Sequence, residues 1–377
     1  MNVMKISLGT RLFQTTTIIF RQNRPLLVSL FIVLFPILTF SQLKLDKPLL
    51  SKWNYKGQAT NGPFFIQNSR VILPQTDGSI VALDLSSGRL LWRAAIGGDI
   101  KSYAAINNEL ALVSSSTKGD RSNTLYYLNA LRVDNGVTVW RINLKFPFTL
   151  NNPSPLKHIL ISQERNALST LYNVKRETGE TSPINSFLTT PDKKIQLSDE
   201  LVIVKTKETQ LDAFNLFTGK RLWTFQSPAE INSFQVLSKE TLYLATNNGE
   251  VISLNTTTGS LAWQKKASSK IQILVPTNEG VIAITPENKF FLYTAKGKLK
   301  WKKLIEGRIS SNLTVHDSYL IIFPTGSNIG IILSLKNGKT LNRILLEPDQ
   351  FVLAPPIVTD QILFLLTQKQ LLALANK

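Results

Sequence analysis

The sequence predicts an all-β fold, an eight-bladed β-propeller with four-stranded blades. The first observation is an internal repeat, in which a glycine is followed four residues later by a tryptophan at Gly88/Trp92, Gly136/Trp140, Gly219/Trp223, Gly259/Trp263 and Gly297/Trp301. The second is the spacing of these units, about 40 residues, which is typical of propeller blades. The third is that no amphipathic helical periodicity occurs after residue 41. Such a repeat lets a long chain form one unit, so residues 42–377 are predicted to be a single propeller domain.

The N-terminal residues have a different composition. Lys5, Arg11, Arg21 and Arg24 precede a run from Pro25 to Phe40 that carries no charge. A basic segment followed by an apolar run of this length is typical of export signals. The run is only slightly shorter than a membrane-spanning helix. Residues 1–41 are therefore predicted to be a signal peptide or an N-terminal membrane anchor, and the body is predicted to be exported, as a periplasmic or membrane-associated protein.

Each repeat unit has an alternating apolar strand, a polar turn with glycine, and a short strand with tryptophan, as in the segment 78–92, GSIVALDLSSGRLLW. Asp77-Gly78 and Asn248-Gly249 predict hairpin turns with two positive φ angles. The glycine of each unit allows a backbone geometry that a side chain would forbid. The tryptophan is expected to pack between adjacent blades, with its indole N–H on a backbone acceptor. These residues are therefore interpreted as structural.

Two units are degenerate, and one is divided between the chain ends. Gly179 is followed by Pro183 at the tryptophan position, and Gly338 is followed by Asn342. Trp53 precedes any glycine unit, so it matches the end of a unit whose beginning lies elsewhere. Residues 370–375, QLLALA, match such a beginning. The eighth blade is therefore predicted to combine both ends of the chain, which leaves no open edge between the first and last blades.

The pattern ALDxxxGxxxW resembles the repeat of the quinoprotein-like (PQQ-type) propeller family, and the resemblance spans residues 53–377. One branch of that family contains dehydrogenases that hold pyrroloquinoline quinone and calcium. The other contains binding scaffolds, notably the BamB family, which acts in the machinery that assembles outer-membrane β-barrels. About 40 residues per blade are used up by four strands and their turns, which leaves no room for a cofactor chamber. A cofactor site would need converging carboxylates, and Asp84, Asp134 and Asp212 are each interpreted as turn or repeat residues.

The resemblance therefore implies a non-catalytic, monomeric scaffold without a cofactor or metal, possessing a protein partner such as an outer-membrane barrel assembly protein. The alternative is a PQQ-dependent oxidoreductase. The segment from Trp140 to Pro147 is similar to a part of the BamB family that precedes a partner-contacting loop. By that resemblance, Phe146, Phe148 and Leu150 are candidate partner contacts. The other interpretation is that these three side chains pack beneath the loop.

The charge balance adds a third possibility. The chain has 43 basic and 25 acidic residues, a net charge of +18, and no cysteine. Lack of cysteine excludes disulfides, thiolate metal sites and lipid attachment to a cysteine within these residues. Lys296, Lys298, Lys300 and Lys302 are expected on one face of a strand, either as a solvated edge or as a patch for an anionic membrane surface. Nucleic acid is not an expected partner, and His158 and His316 lack the spacing of metal ligands.

Overall fold

A computed structural model describes residues 42–57, 64–105, 109–119, 123–151, 159–165, 167–189, 195–198, 200–237, 240–309 and 312–376. The predicted signal peptide or anchor, residues 1–41, lies outside the described residues, as does His158. The described residues form thirty-two strands arranged as eight four-stranded antiparallel sheets, so the predicted eight-bladed, all-β propeller is confirmed. In the ranges described, no helix is both long and apolar enough to cross a membrane.

Strand β1 (Leu50–Tyr55) belongs to the last blade, and the following strands build blades 1 to 7 in chain order. Blades 1 and 2 consist of β2 (Phe65–Gln67), β3 (Arg70–Pro74), β4 (Ser79–Asp84), β5 (Leu90–Ala95), β6 (Asp99–Ala105), β7 (Leu110–Lys118), β8 (Thr124–Arg132) and β9 (Thr138–Leu144). Blades 3 and 4 consist of β10 (Thr149–Asn151), β11 (Ile159–Arg165), β12 (Leu168–Val174), β13 (Thr181–Leu188), β14 (Ile195–Ser198), β15 (Leu201–Lys207), β16 (Gln210–Asn215) and β17 (Arg221–Gln226).

The second half of the ring repeats this order. Blades 5 and 6 consist of β18 (Ile231–Val236), β19 (Leu242–Thr246), β20 (Glu250–Leu254), β21 (Leu261–Lys266), β22 (Ile273–Thr277), β23 (Gly280–Ile284), β24 (Lys289–Thr294) and β25 (Leu299–Leu304). Blade 7 consists of β26 (Leu313–His316), β27 (Tyr319–Ile322), β28 (Ile329–Ser334) and β29 (Thr340–Leu345). Blade 8 consists of β30 (Ile357–Val358), β31 (Leu363–Leu366), β32 (Leu371–Ala375) and β1.

The burial of each strand follows from its place in the blade. First strands of neighbouring blades contact one another, as β2 contacts β6 and β18 contacts β22, so they line the centre of the ring. Middle strands such as β19 and β23 are buried along their whole length, because adjacent blades cover both faces. Outer strands such as β5 alternate between exposed and half-buried positions. The apolar core is therefore a set of layers between blades rather than one central cluster.

Both predicted turns differ from their expectation, and at Asn248-Gly249 only Gly249 has a positive φ, 87°. At Asp77-Gly78 only Gly78 has a positive φ, 78°, because the Asp77 carboxylate accepts the Ser79 N–H (3.0 Å) in a longer turn. The turn with two positive φ angles lies earlier in the same blade, at Asn68 (48°) and Ser69 (56°), where it joins β2 to β3. The hairpin between β3 and β4 is present as predicted, but its turn is of another type.

The two ends of the chain close the ring. Strand β1 pairs antiparallel with β32, from Leu50 opposite Ala375 to Tyr55 opposite Leu371. Beyond the strand, the Asn376 side chain joins both termini: its Oδ1 accepts the Lys44 N–H (2.6 Å), and its Nδ2 donates to the carbonyls of Lys44 (3.0 Å) and Pro48 (3.1 Å). Blade 8 is therefore divided between the termini, as the sequence predicts.

Candidate partner-binding surfaces

The tryptophans lie at the seams between blades. Each indole Nε1 donates to a backbone carbonyl of the next blade, over distances of 2.6 to 3.1 Å: Trp53 to Leu85, Trp92 to Val133, Trp140 to Arg176, Trp223 to Thr256, Trp263 to Ala295 and Trp301 to Leu335. A register shift in the pairing of the third and fourth strands, such as that between Ala82 and Leu83, precedes the tryptophan and aims its ring out of the blade.

Six repeat glycines each receive the tryptophan of the preceding blade, whereas Gly219 receives Asn185. A Cβ atom built on Gly88 would lie 2.5 Å from the Trp53 ring, and one on Gly259 would lie 2.6 Å from the Trp223 ring. The glycine and the tryptophan of one repeat unit thus serve two different seams. The unit recurs in the sequence because five of the eight blades present a glycine to the blade before them and a tryptophan to the blade after them.

Asparagine replaces tryptophan at the remaining two seams. Asn342 donates its Nδ2 to the carbonyls of Leu45 (3.1 Å) and Lys47 (2.7 Å). In blade 3 the position is taken by Asn185, which donates to the carbonyls of Leu216 (2.7 Å) and Phe217 (2.9 Å). Counting four residues from Gly179 predicts Pro183 at this position. In this blade the register shift between β12 and β13 comes two residues later, so Asn185 faces the next blade instead.

The seam between blades 7 and 8 carries a groove. This groove of about 540 Å³ lies beside Asn342, between β29 and β1, and Leu50, Leu345 and Leu372 contribute to its walls. An indole at position 342 would be larger than the amide that stands there. This groove has no counterpart in the sequence prediction, which treated the unit only as degenerate.

The three predicted contact residues lie on one row of the connection between β9 and β10. Side chains alternate along it: Lys145, Pro147 and Thr149 are exposed, whereas Phe146, Phe148 and Leu150 are half-buried. The half-buried row packs on the apolar cluster between blades 2 and 3. The structure brings the three residues together, with their inner surfaces against the core and part of each side chain still accessible. Partner contact by Phe146, Phe148 and Leu150 stays a prediction.

Aromatic and polar neighbours fix this row in place. The Phe146 ring stacks on Tyr172, with centroids 5.4 Å apart and an interplanar angle of 29°. The Tyr172 hydroxyl donates to Gln163 Oε1 (2.9 Å). Nearby on blade 2, the Arg141 guanidinium lies 4.0 Å above the centre of the Tyr127 ring. An arginine and several aromatic rings in a pre-ordered arrangement suit protein recognition, because little side-chain entropy is lost on binding.

The basic segment of blade 6 does not form the single face that the sequence predicts. Strand β25 begins at Leu299, and a register shift at Lys300 interrupts the alternation. Lys300 forms an ion pair with Glu279. Lys303 donates to the Gly338 carbonyl and to Thr340 Oγ1, both at 2.9 Å. Burial of the Lys303 ammonium lowers its pKa, and the nearby positive charge of Arg343 lowers it further. Lys302 remains exposed.

The acidic residues considered for a cofactor site lie in different blades. In blade 1, hydrogen bonds from Ser86 and Ser87 lower the pKa of Asp84 to about 2. In blade 4, Asp212 is buried and accepts hydrogen bonds from Thr206, Gln210 and Thr224 of its own blade. Asp134 is an exposed residue of a turn in blade 2. Within the described part of the chain, no three Asp, Glu or His side chains are grouped so that they could hold a metal ion.

Comparisons with known proteins identify the repeat. A family model described as outer membrane protein assembly factor BamB matches residues 45–145, 121–270 and 209–375. The curated BamB of Legionella pneumophila is 28% identical over 193 residues, which cover 46% of this chain and 48% of that protein. The BamB of Shewanella oneidensis is 21% identical over 299 residues, 78% of this chain and 66% of that protein. The matches thus span between about half and two thirds of these relatives.

A solved structure gives the same answer for the fold. The crystal structure of BamB from Moraxella catarrhalis superposes with a TM-score of 0.64 at 15% sequence identity, and the match covers 88% of this chain and 98% of that chain. At this identity the likeness concerns the fold alone.

Proposed function

Because this chain belongs to the family of outer membrane protein assembly factor BamB, we propose that it is a non-catalytic, exported scaffold that binds a protein partner during outer-membrane protein assembly. The observation that carries the proposal is the family match, which extends over nearly the whole described propeller. Each blade consists of four strands, so the fold offers strand edges and connecting loops as contact surfaces. Protein recognition by loops and strand edges is a common use of such surfaces.

The contact surface that we propose is the connection of residues 145–150. Its half-buried rings pack against the core and against Tyr172, so the surface that a partner would bind is already ordered before binding. The exposed row, Lys145, Pro147 and Thr149, would contact the partner first. An apolar side chain of the partner would cover the accessible parts of Phe146 and Phe148. Such small, well-packed aromatic sites provide most of the binding free energy in many interfaces.

The experiment is affinity purification from cells. The full chain carries a tag on a flexible linker after Lys377, membranes are solubilised gently, and co-purifying proteins are quantified by mass spectrometry. We expect stoichiometric recovery of an outer-membrane barrel assembly protein, and at least a tenfold lower recovery with the Lys145→Glu/Phe146→Ala variant. Leu188→Ser changes a residue that is 64% exposed on β13 and serves as the matched control. Thermal unfolding establishes that each variant is folded. Recovery of no such protein by the wild-type chain would contradict the proposed role.

We also propose that residues 1–41 direct export. N-terminal sequencing of the protein purified from cells separates the two forms: a new N-terminus near Gln42 indicates a cleaved signal peptide, whereas an intact Met1 in the membrane fraction indicates an anchor. Protein found only in the cytoplasm with an intact N-terminus would contradict export. Light scattering of the same preparation tests the predicted monomer.

A further inference from the structure

The outer strands of the eight blades carry charge of one sign. Together β1, β5, β9, β13, β17, β21, β25 and β29 contain no Asp or Glu. They contain ten basic residues, namely Lys52, Arg93, Arg141, Arg221, Lys265, Lys266, Lys300, Lys302, Lys303 and Arg343. Six of these ten lie on β21, β25 and β29, the outer strands of three successive blades. We call the outer surface of these three strands the basic rim.

The surrounding sequence reinforces this charge. Residues 261–345 contain thirteen Lys or Arg and four Asp or Glu, a net charge of +9, which is half of the total for the chain. One of the four acids, Glu279, is already paired with Lys300. Lys303 and Arg343 meet across the seam between blades 6 and 7, since Lys303 reaches the Gly338 carbonyl of blade 7. Holding like charges together costs free energy, which a bound anionic surface would recover.

Exposed leucines lie among these cations. Leu345 is 75% exposed and Leu304 is 64% exposed, and they end the adjacent outer strands β29 and β25. Lysine alone on an outer strand is explained by its protection against edge-to-edge pairing. That explanation does not account for leucine at the same edge, because exposed aliphatic side chains favour association. Aliphatic side chains surrounded by cations are the pattern of surfaces that lie on anionic membranes.

We propose that the basic rim binds the surface of an anionic phospholipid bilayer. Leu304 and Leu345 enter the headgroup region, while Lys302 and Arg343 contact lipid phosphates. A bilayer accommodates both groups, since its surface attracts cations and its interior accepts aliphatic side chains. Single-stranded nucleic acid would instead require accessible aromatic rings for stacking, and Trp301, the aromatic residue of β25, is buried in the seam.

This inference is independent of the partner proposed above. The connection of residues 145–150 joins blades 2 and 3, whereas the basic rim is centred on blade 6, three to four blades further around the ring. One side of the molecule can therefore face a membrane while the opposite side faces a protein.

The test measures binding to lipid vesicles by flotation. It uses the protein purified from cells, with whatever N-terminus the cell leaves on it. One set of vesicles is phosphatidylcholine, and the other is an equal mixture of phosphatidylcholine and phosphatidylglycerol. We expect binding to the mixed vesicles to exceed binding to the neutral ones and to weaken as salt is added. The Lys302→Gln/Arg343→Gln variant should partition to mixed vesicles about 20- to 30-fold less, from the loss of two surface cations. The Lys220→Gln/Arg221→Gln variant has the same net charge but changes blade 4, and it should bind like the wild-type chain.

The leucines are tested separately. Leu304→Ser/Leu345→Ser should reduce binding to mixed vesicles, whereas Leu188→Ser, equally exposed on blade 3, should not. Equal binding of the wild-type chain to both vesicle types, or equal losses in both charge variants, would overturn the proposal. Soluble polyglutamate represents the other kind of ligand, an acidic protein. If polyglutamate displaces the protein from mixed vesicles, and does so equally well for the wild-type chain and the leucine variant, the rim recognises acidic protein and the lipid assignment is wrong.

Discussion

Asn185 and Asn342 occupy equivalent seam positions four blades apart, on opposite sides of the ring, and each donates its amide to two backbone carbonyls of the next blade. The other six seams are each joined by a tryptophan indole that donates to one carbonyl. An asparagine thus provides more hydrogen bonds but less apolar contact than the residue it replaces. Asn185, like the indoles, donates to carbonyl groups just after a third strand, whereas Asn342 donates to carbonyl groups of the segment that precedes β1.

The first prediction concerns these amides. Asn185→Ala removes both donors to the carbonyls of Leu216 and Phe217, so we expect the free energy of unfolding to fall by about 1 to 3 kcal/mol. The measurement is urea unfolding followed by tryptophan fluorescence. Asn143→Ala, at an exposed position of β9, is the control and should change the free energy by less than about 0.5 kcal/mol. Equal stability of the Asn185→Ala variant and the wild-type chain would show that the seam does not depend on this side chain.

The second prediction separates two reasons for glycine in the repeat, namely the positive φ angle and the close contact with the indole ring. Gly259 has a φ of 71° and its Cβ would lie 2.6 Å from the Trp223 ring, whereas Gly326 has a φ of 74° with no atom within 4 Å of its Cβ. Alanine at Gly326 should cost about 1 to 2 kcal/mol, the conformational penalty alone. Alanine at Gly259 should cost about 1 to 3 kcal/mol more, because the indole must move. If the two variants are equally stable in urea unfolding, the contact with Trp223 is not what requires glycine.

The third prediction concerns acid. Ser86 and Ser87 hold the pKa of Asp84 at about 2, below its ordinary value of 3.8. A carboxyl whose pKa is lowered by folding contributes stability above its unfolded value and loses that contribution as the pH falls through the folded value. The contribution of Asp84 should therefore disappear between about pH 4 and pH 2. Asp84→Asn should remove this part of the pH dependence and preserve the turn, since Asn215 and Asn255 accept the same backbone hydrogen bonds in their own blades.

Urea unfolding across that pH window, with wild type and variant side by side, checks the assignment. The difference in unfolding free energy between the two proteins should grow from pH 2 to pH 4 and then stay constant. Parallel curves for the two proteins would mean that Asp84 does not cause the change.

The fourth prediction concerns ring closure. Asn376→Ala removes three hydrogen bonds between the chain ends, so we expect faster amide hydrogen exchange throughout β1. The comparison is Asn255→Ala, a residue of the turn that follows β20 in blade 5, where the chain is continuous between the third and fourth strands. There the exchange should increase only locally. Similar exchange of β1 in the two variants would contradict a role for Asn376 in holding the ends together.

The sequence predicted the features that repeat from blade to blade, such as the Gly and Trp positions. It was less informative about the position of the register shift between the third and fourth strands, which differs by two residues in blade 3. The spacing of Gly88 and Trp92 recurs because a glycine and an indole meet at six of the eight seams, and the blade count was predicted from that spacing. Counting failed at Pro183, since a later register shift moves Asn185 into the seam, and the position of that shift depends on the whole turn. The signal in the sequence was Asn185, an amide side chain two positions after Pro183 and of the same type as Asn342 in the other degenerate unit.

The candidate surfaces show the same division. The alternation in the segment 145–150 indicates two rows of side chains, but not which row faces the core; the contact of Phe146 with Tyr172, distant in sequence, decides that. A regular strand would place Lys296, Lys298, Lys300 and Lys302 on one face, but β25 begins only at Leu299 and a register shift at Lys300 interrupts the alternation. The absence of acid from all outer strands could have been read from the sequence only after the strands had been assigned to their places in the blades.

Pairing of β1 with β32 has a consequence for the order of events during synthesis. Leu50 is made early, and its partner Ala375 is made near the end, more than three hundred residues later. At roughly 5 to 20 residues per second, the first strand waits about 15 to 65 seconds for the last one. Throughout that interval β1 has no partner strand, because its neighbour in the sheet, β32, has not yet been made. Closure of the ring is therefore the one pairing that must wait for the last residues, and among the described strands β1 spends the longest time without its partner.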